Sequence, residues 1–142
     1  MYSHFCSGAA RIVAITTLSG SSMTAAATGL PLESVADVPL GGHTTRLDYE
    51  SIDPSRHLLF IAHLGDSAVI VFDTQAQRVV SRITDVSKVH GVLAIPELGR
   101  VYASATGTNE VVVIDEASLK ITARMPDGTY PDGMTYVHQQ TN

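Results

Sequence analysis

Hydrophobic residues along this chain fall into short runs that are separated by residues favouring turns. Residues 58–62, 68–72 and 111–114 are such runs, and glycine, proline and aspartate residues lie between them. Turn signals recur about every 8–12 residues with no helical period between them. The pattern predicts antiparallel β-strands joined by tight turns, and it excludes a chain in which strands alternate with helices.

The same pattern of residues occurs twice, at a constant offset of 42 residues, so no insertion separates the two copies. The equivalent pairs are Pro54 and Pro96, Phe60 and Tyr102, Gly65 and Gly107, Val69 and Val111, Asp73 and Asp115, Val79 and Ile121, Ile83 and Met125, Asp85 and Asp127, and Gly91 and Gly133. A fixed period of about 40–45 residues with several strands per copy is the signature of β-propeller blades. The sequence therefore predicts an all-β chain, a partial β-propeller of four-stranded antiparallel blades with a 42-residue period.

The middle strands of each copy are apolar at every position instead of at alternate positions. Residues 58–62 and 111–114 contain only apolar side chains. A strand in a two-layer sandwich has one wet face and alternates, whereas a propeller blade is stacked between two neighbours. Both broad faces of each sheet are therefore predicted to be buried. The outer strands, residues 78–83 and 120–125, return to alternation, as expected at the rim.

The repeat and the flanking sequences divide the chain into five parts. Propellers close with about 4–8 blades, so this chain is expected to be a fragment of a longer protein. Its open blade faces are expected to drive self-association. The predicted parts are a signal peptide over 1–27, a linker with the last strand of an incomplete blade over 28–45, a blade over 46–87, a blade over 88–129, and the first strand of an incomplete blade over 130–142.

The first 32 residues differ from the rest because they contain no acidic residue and only one arginine or lysine, Arg11. An apolar stretch from Ile12 to Leu18 follows, and then the small residues Ala25-Ala26-Ala27. A basic start, a short apolar core and a small-residue cleavage site predict a secretory signal peptide, and hence a periplasmic or secreted protein. The alternative is a frayed N-terminus or a misplaced start codon. The apolar stretch is far shorter than the ~20 residues that span a bilayer, so no transmembrane anchor is expected.

Charge and cysteine content exclude several classes of partner. The formal net charge is −5, whereas nucleic-acid-binding proteins usually carry a basic face. No nucleic acid is therefore expected as a partner. The chain has one cysteine, Cys6, which rules out an intrachain disulfide, a C-x-x-C metal site and C-x-x-C-H haem attachment.

Several stretches carry a resemblance to a known family. These are Val-His-Gly-Val at 89–92, Gly-Arg-Val-Tyr-Ala-Ser at 99–104, Thr-Asn-Glu-Val-Val-Val-Ile-Asp at 108–115, and the related first copy at 59–73. They resemble the repeats of the YVTN/YncE family of β-propellers. The family is mostly exported, is typically seven-bladed and has no shared catalytic set. The resemblance implies a non-enzymatic binding or scaffold propeller whose partner is an unknown protein or small molecule. The alternative hypothesis is a lactonase-like or redox propeller enzyme with a metal or cofactor at its hub.

One position in the repeat carries polar residues that suit a binding site. Asp48, His90 and Asp132 occupy it in successive copies, at the start of each inner strand. Inner strands surround the central channel of a propeller. These three residues are predicted to bind a polar ligand at the hub, although such a ring also suits a metal. The alternative is a turn in which each side chain bonds nearby amides. No catalytic residue and no resident metal or cofactor is predicted.

The remaining polar and glycine positions have structural interpretations. Asp73 and Asp115 end the third strands and are predicted to accept amide hydrogens across a turn. Gly65 and Gly107 are predicted to provide positive φ in hairpins. His43, His57 and His63 show no H-x-x-x-H spacing, so they are expected to be solvated or hydrogen-bonded side chains and not zinc ligands.

Overall fold

In a computed structural model that describes residues 32–43 and 45–138, the chain forms two four-stranded antiparallel sheets. Residues from Ser34 onward make up one unit, and of the preceding unit only Leu32 and Glu33 are described, both of them exposed. The predicted signal peptide over 1–27 lies outside the described residues. Among those described, no helix has the length and hydrophobicity that a bilayer crossing requires.

Each sheet contains four consecutive strands in sequence order. Two short 3₁₀ turns, Leu64–Asp66 and Pro96–Leu98, are the helical elements among the described residues. The sheets match the predicted blades, and the strand bounds differ from the predicted ones by a few residues. Blade 1 consists of β1 (Glu50–Asp53), β2 (Leu58–His63), β3 (Ala68–Asp73) and β4 (Arg78–Ile83), and blade 2 consists of β5 (Val89–Ile95), β6 (Arg100–Ala105), β7 (Glu110–Asp115) and β8 (Lys120–Pro126).

Left-handed backbone conformations recur at the 42-residue offset. Most L-residues avoid positive φ for steric reasons, so its position marks where the chain must turn sharply. Both copies turn at the same places, which confirms the period at the level of backbone conformation. The pairs with positive φ are His57 and Gly99, Ser67 and Asn109, Gln77 and Leu119, and Lys88 and Tyr130.

The prediction that Gly65 and Gly107 supply positive φ is wrong. Ser67 and Asn109 adopt the left-handed conformation in those turns, with φ of 51° and 55°. The two glycines are needed for a different reason, namely the close approach of the preceding connection. A Cβ atom on Gly65 would overlap the Thr45 side chain, and one on Gly107 would overlap the hydroxyl of Ser87, the residue equivalent to Thr45.

The two blades pack against each other through opposite faces of the repeating unit. The core joins one face of blade 1 to one face of blade 2, and the residues at its centre are 0% exposed. Close packing of this kind is the main source of stability in a small β-domain. The blade 1 side, called here the front face, consists of Phe60, Ala62, Val69 and Val71, and the blade 2 side, called the back face, consists of Val101, Ala103, Val112 and Ile114.

Equivalent residues of the two blades do not meet in this core. Phe60 packs against blade 2, whereas its equivalent, Tyr102, lies on the side of blade 2 that faces away from blade 1, because successive strand residues point to opposite faces. A two-fold sandwich would join equivalent surfaces, whereas one rotation repeated from blade to blade joins front to back. The packing is therefore that of stacked propeller blades, as predicted.

The two outward-facing sides of the pair are partly covered by the flanking segments. Residues 35–40 line a groove of about 360 Å³ together with Leu59, Ile61 and Phe72 of the blade 1 back face. Met134 and Tyr136 lie beside Tyr102 of the blade 2 front face.

The strands predicted at 34–38 and 132–137 are absent from the structure. An extended segment counts as a strand only where its backbone pairs with a neighbour. Within the described residues, the backbone of neither segment is paired with a strand of either sheet.

Gly99 gives a direct test of the backbone assignment. Its φ is +59°, and a Cβ atom added there would have no heavy atom within 4 Å. Gly99→Ala is therefore expected to lower the free energy of unfolding by about 1 kcal/mol through backbone strain alone. Urea denaturation measures the change. Gly128 is the matched control, since its surroundings are equally open and its φ is not positive. Gly128→Ala should be neutral or slightly stabilising, and equal losses at the two positions would contradict the assignment.

Candidate functional site at the inner strands

The structure brings together two of the three predicted hub residues. Asp48 lies just before β1 and His90 lies at the start of β5, and the adjacent backbones are joined by a hydrogen bond from Tyr49 N to His90 O of 3.3 Å. His90 Nε2 lies 3.9 Å from Asp48 Oδ2. The Asp132 side chain is exposed, and the Asp132 backbone carbonyl lies against Gly91, where a Cβ atom would collide with it.

His90 is held in one tautomer by its neighbours. Its Nδ1 lies 2.9 Å from the carbonyl oxygen of Lys88, which can only accept, so Nδ1 carries the hydrogen. Nε2 is then free to accept the hydroxyl hydrogen of Tyr130 at 3.2 Å. The Tyr130 and His90 rings are tilted by 55° at a centroid distance of 5.3 Å. His90 is 5% exposed, and both of its ring nitrogens have hydrogen-bond partners.

Two tyrosines complete a small polar and aromatic surface around His90. Tyr49 and Tyr130 are 50% and 60% exposed, and the Tyr49 hydroxyl lies close to Gly133. Asp48, Tyr49, His90 and Tyr130 are called here the inner-strand site. Nothing in the sequence pattern singles out the tyrosines, because Tyr130 is equivalent to Lys88 and Tyr49 to Gly91 in the other copy. Together they offer aromatic faces, a carboxylate and hydroxyls to a ligand.

The hydrogen bonds of His90 limit what the inner-strand site can bind. Both nitrogens of His90 are already engaged, by Lys88 and by Tyr130. The part of the chain that the structure describes holds no group of three or more His, Cys, Asp or Glu side chains able to hold a metal ion.

A second cluster, near the start of blade 1, has the outline of a nucleophile–base pair. Thr45 Oγ1 lies 3.0 Å from His63 Nε2. His63 Nδ1, however, lies 3.3 Å from Arg82 Nη1, and an arginine can only donate. Nδ1 also lies 3.5 Å from Asp66 Oδ2, which can only accept when it is ionised. His63 therefore contacts Thr45, Arg82 and Asp66, and the cluster joins the linker to blade 1.

The same cluster fastens the linker to blade 1. Asp66 accepts the backbone amide of His43 at 3.1 Å and its ring Nδ1 at 3.0 Å. The backbone hydrogen bond is the largest of the contacts that lower the pKa of Asp66. Arg82 donates to the carbonyl of Gly41 at 2.8 Å. Arg124, the equivalent of Arg82, donates in the same way to a carbonyl of the connection between the blades.

The two aspartates that end the third strands act as predicted. Asp73 Oδ1 accepts the backbone amides of Gln75 at 2.9 Å and Ala76 at 2.7 Å. Asp115 Oδ1 accepts the backbone amide of Ser118 at 2.9 Å. The Ser118 amide and then its hydroxyl are the main causes that lower the pKa of Asp115. Both are turn-forming residues and not parts of a site.

A buried pair of carboxyl groups between the blades was not anticipated from the sequence. Asp53 ends β1 and is 0% exposed, and Glu116 follows β7 and is 1% exposed. Burial would raise the pKa of Asp53, but hydrogen bonds from the Ser55 side chain and from Ser55 and Arg56 amides help to lower it. Burial, then hydrogen bonding to Asp53 and its negative charge, raise the pKa of Glu116 to about 7.

The raised pKa of Glu116 accounts for how two acidic groups can be buried side by side. Within the described residues, neither carboxylate oxygen of Glu116 nor Asp53 Oδ2 has another hydrogen-bond partner. Two carboxylates are both acceptors, so only a proton on one of them allows a bond between them. The first copy has Thr74 at the position of Glu116, so the repeat itself does not indicate this pair.

Comparison with known proteins adds evidence for the fold. No protein-family model matches the chain, and no curated protein matches its sequence. Hydrazine synthase from Kuenenia stuttgartiensis superimposes with a TM-score of 0.57 at 17% identity, over 75% of this chain and 28% of that one. AztD from Citrobacter koseri superimposes with a TM-score of 0.55 at 14% identity, over 63% of this chain and 26% of that one. Sqt1 from Saccharomyces cerevisiae superimposes with a TM-score of 0.51 at 15% identity, over 57% of this chain and 20% of that one.

These structures are β-propeller proteins, and identities this low show the fold alone. With the blade stacking described above, they define the class: the described residues form a partial β-propeller of two four-stranded blades. The chain spans 28%, 26% and 20% of the lengths of these three structures. A shared fold does not carry a function with it.

Proposed function

We propose that this chain supplies two blades to an exported, non-enzymatic β-propeller of the YVTN/YncE repeat kind, which binds a polar small molecule or a protein segment. The proposed location is the periplasm or the cell exterior. The proposal for export is supported by the sequence pattern over 1–27. Recovery from a periplasmic extract of a chain shortened near Ala27 is the corresponding check, and full-length protein confined to the cytoplasm would contradict it.

The observation that carries the binding proposal is the geometry around His90. Its Nδ1 and Nε2 are fixed by Lys88 and Tyr130, so the ring is a rigid support and not a free base. The exposed groups above it are two tyrosine rings, and the Asp48 carboxylate is 17% exposed. Exposed aromatic faces beside a few oriented polar groups are typical of recognition surfaces.

Tyrosine fluorescence gives a direct binding assay, because the chain has no tryptophan. Titration with a panel of monosaccharides, disaccharides, amino acids and dipeptides is expected to yield at least one saturable change. Tyr130→Phe removes the hydroxyl that bonds His90 and should weaken that binding by up to about tenfold, since a hydrogen bond contributes about 0.5–1.5 kcal/mol. Tyr102→Phe, remote from the site along the sheet, is the matched control and should leave the affinity unchanged.

Other outcomes would count against a binding role at this site. The absence of saturable binding across the panel, or equal effects of the two tyrosine variants, would remove its support. The enzyme alternative has its own assay, in which hydrolysis of a simple lactone is followed with and without added Zn²⁺ or Ca²⁺. Metal-dependent turnover that disappears in His90→Ala would overturn the non-enzymatic proposal.

A further inference from the structure

The interface between the two blades predicts what fits the surfaces that remain open. Front and back faces are different surfaces, and the core joins one of each. The pair of blades therefore presents one unmatched back face, on blade 1, and one unmatched front face, on blade 2. The blade 1 back face consists of Leu59, Ile61, Ile70 and Phe72, and the blade 2 front face consists of Tyr102, Ser104, Val111 and Val113.

Four residues of the two unmatched faces, Leu59, Phe72, Tyr102 and Val111, are partly exposed, whereas Ile70 and Ser104 are 0% exposed. Val69 and Val101 are 0% exposed at the centre of the interface. Val111, equivalent to Val69, and Leu59, equivalent to Val101, are both partly exposed. The Val69/Val111 position and the Leu59/Val101 position are apolar in both copies. Val111 and Leu59 are therefore suited to pack against a further blade. The flanking segments lie against both faces, and Val35 of the first segment is itself 84% exposed.

We propose that a second copy of this chain docks head-to-tail, with its blade 1 back face on the blade 2 front face of the first copy. The two surfaces are matched because each is the 42-residue equivalent of one side of the existing core. The contact continues the blade-to-blade rotation already present within the chain, and each added copy presents the same two faces again. Such a heterologous contact closes into a ring or extends, in contrast to a two-fold dimer. Docking displaces residues 35–40 and 132–137 from the two faces.

Sedimentation velocity on the whole chain over a range of about 2 to 200 μM tests this proposal, a range that brackets micromolar association. The wild-type protein is expected to sediment faster as its concentration rises. Leu59→Asp damages only the back face, and Val111→Asp damages only the front face. Either variant alone should be a monomer. In each case every copy carries the same damaged face, so no pair of copies can join an intact front face to an intact back face. Circular dichroism confirms that both variants remain folded.

Mixing the two variants provides the decisive measurement. The Leu59→Asp copy keeps its front face and the Val111→Asp copy keeps its back face, so an equimolar mixture should form a dimer and nothing larger. Ala76→Asp, in an exposed hairpin away from both faces, is the control and should assemble like the wild type. A wild-type monomer at every concentration would overturn the proposal. So would a mixture that stays monomeric, or a variant that dimerises fully by itself, which indicates a two-fold contact.

Discussion

Replacement of Glu116 by glutamine is expected to abolish most of the pH dependence of stability between about pH 5 and pH 8. Glu116 is 1% exposed, beside the buried Asp53, and its pKa is raised from 4.5 to about 7 by burial and by Asp53. Below pH 4.5 both the folded and the unfolded chain hold the proton. Between pH 4.5 and pH 7 only the folded chain holds it, so the free energy of unfolding falls as the pH rises.

The size of this effect follows from the shift in pKa. Each unit corresponds to about 1.4 kcal/mol, so the wild-type protein should lose on the order of 3 kcal/mol across this range. Glutamine has no proton to lose, and its amide can donate to Asp53 Oδ2. Glu116→Gln should therefore be the more stable protein at pH 8 and close to the wild type at pH 5. The pKa of Asp53 is lowered, so its own contribution is lost only in stronger acid.

Urea denaturation at several pH values measures both proteins. Glu50→Gln is the matched control, because Glu50 is exposed on β1 and its removal should leave the wild-type slope intact. If Glu116→Gln follows the same slope as the wild type, the carboxyl pair does not hold a proton in the folded protein. The difference between the two curves isolates Glu116 from other titrating groups.

Phe60→Ala is expected to lower the free energy of unfolding by about 3–5 kcal/mol, the usual loss when a buried phenylalanine is truncated. Phe60 is 0% exposed and lies in the core between the two blades. The substitution removes apolar area and leaves a cavity that the stacked sheets cannot close. A loss of this size is a large part of the stability of a small domain.

Tyr102→Ala is the matched control, since Tyr102 occupies the equivalent position in blade 2 and is partly exposed on an unmatched face. At a protein concentration where the chain is monomeric, it should cost less than about 2 kcal/mol. Should Phe60→Ala not fold, Phe60→Leu keeps most of the volume and should cost less than about 1.5 kcal/mol. Equal losses for the two alanine variants would contradict the front-to-back packing.

Most of the fold could be predicted from the sequence because it is a matter of local and repeated patterns. The spacing of Phe60 and Tyr102, and of Asp73 and Asp115, reveals the 42-residue period without any tertiary information. Apolar runs bounded by turn residues then locate the middle strands to within a few residues, as the bounds of β3 show. Gly65 was misread because its role depends on Thr45 approaching from another segment, which no local pattern records.

The candidate site was predicted only in part, because it depends on contacts between copies. Asp48 and His90 stand out as occupants of one repeated position, and the structure places them 3.9 Å apart. No repeated position marks Tyr130 as part of the site. Its hydrogen bond to His90 joins the segment after β8 to the start of β5, 40 residues earlier in the chain. The bonds from His63 to Arg82 and from His90 to Tyr130 likewise join partners that are distant in sequence.

The sequence by itself determined that this protein is built from four-stranded blades repeated every 42 residues, because hydrophobic spacing and turn chemistry act over a few residues at a time. Only the tertiary structure decided that blades join front to back, that Asp53 and Glu116 are buried together, and that the hub histidine is a fixed support. Those features depend on which surfaces meet, and burial, desolvation and hydrogen-bond partners exist only once distant parts of the chain have come together.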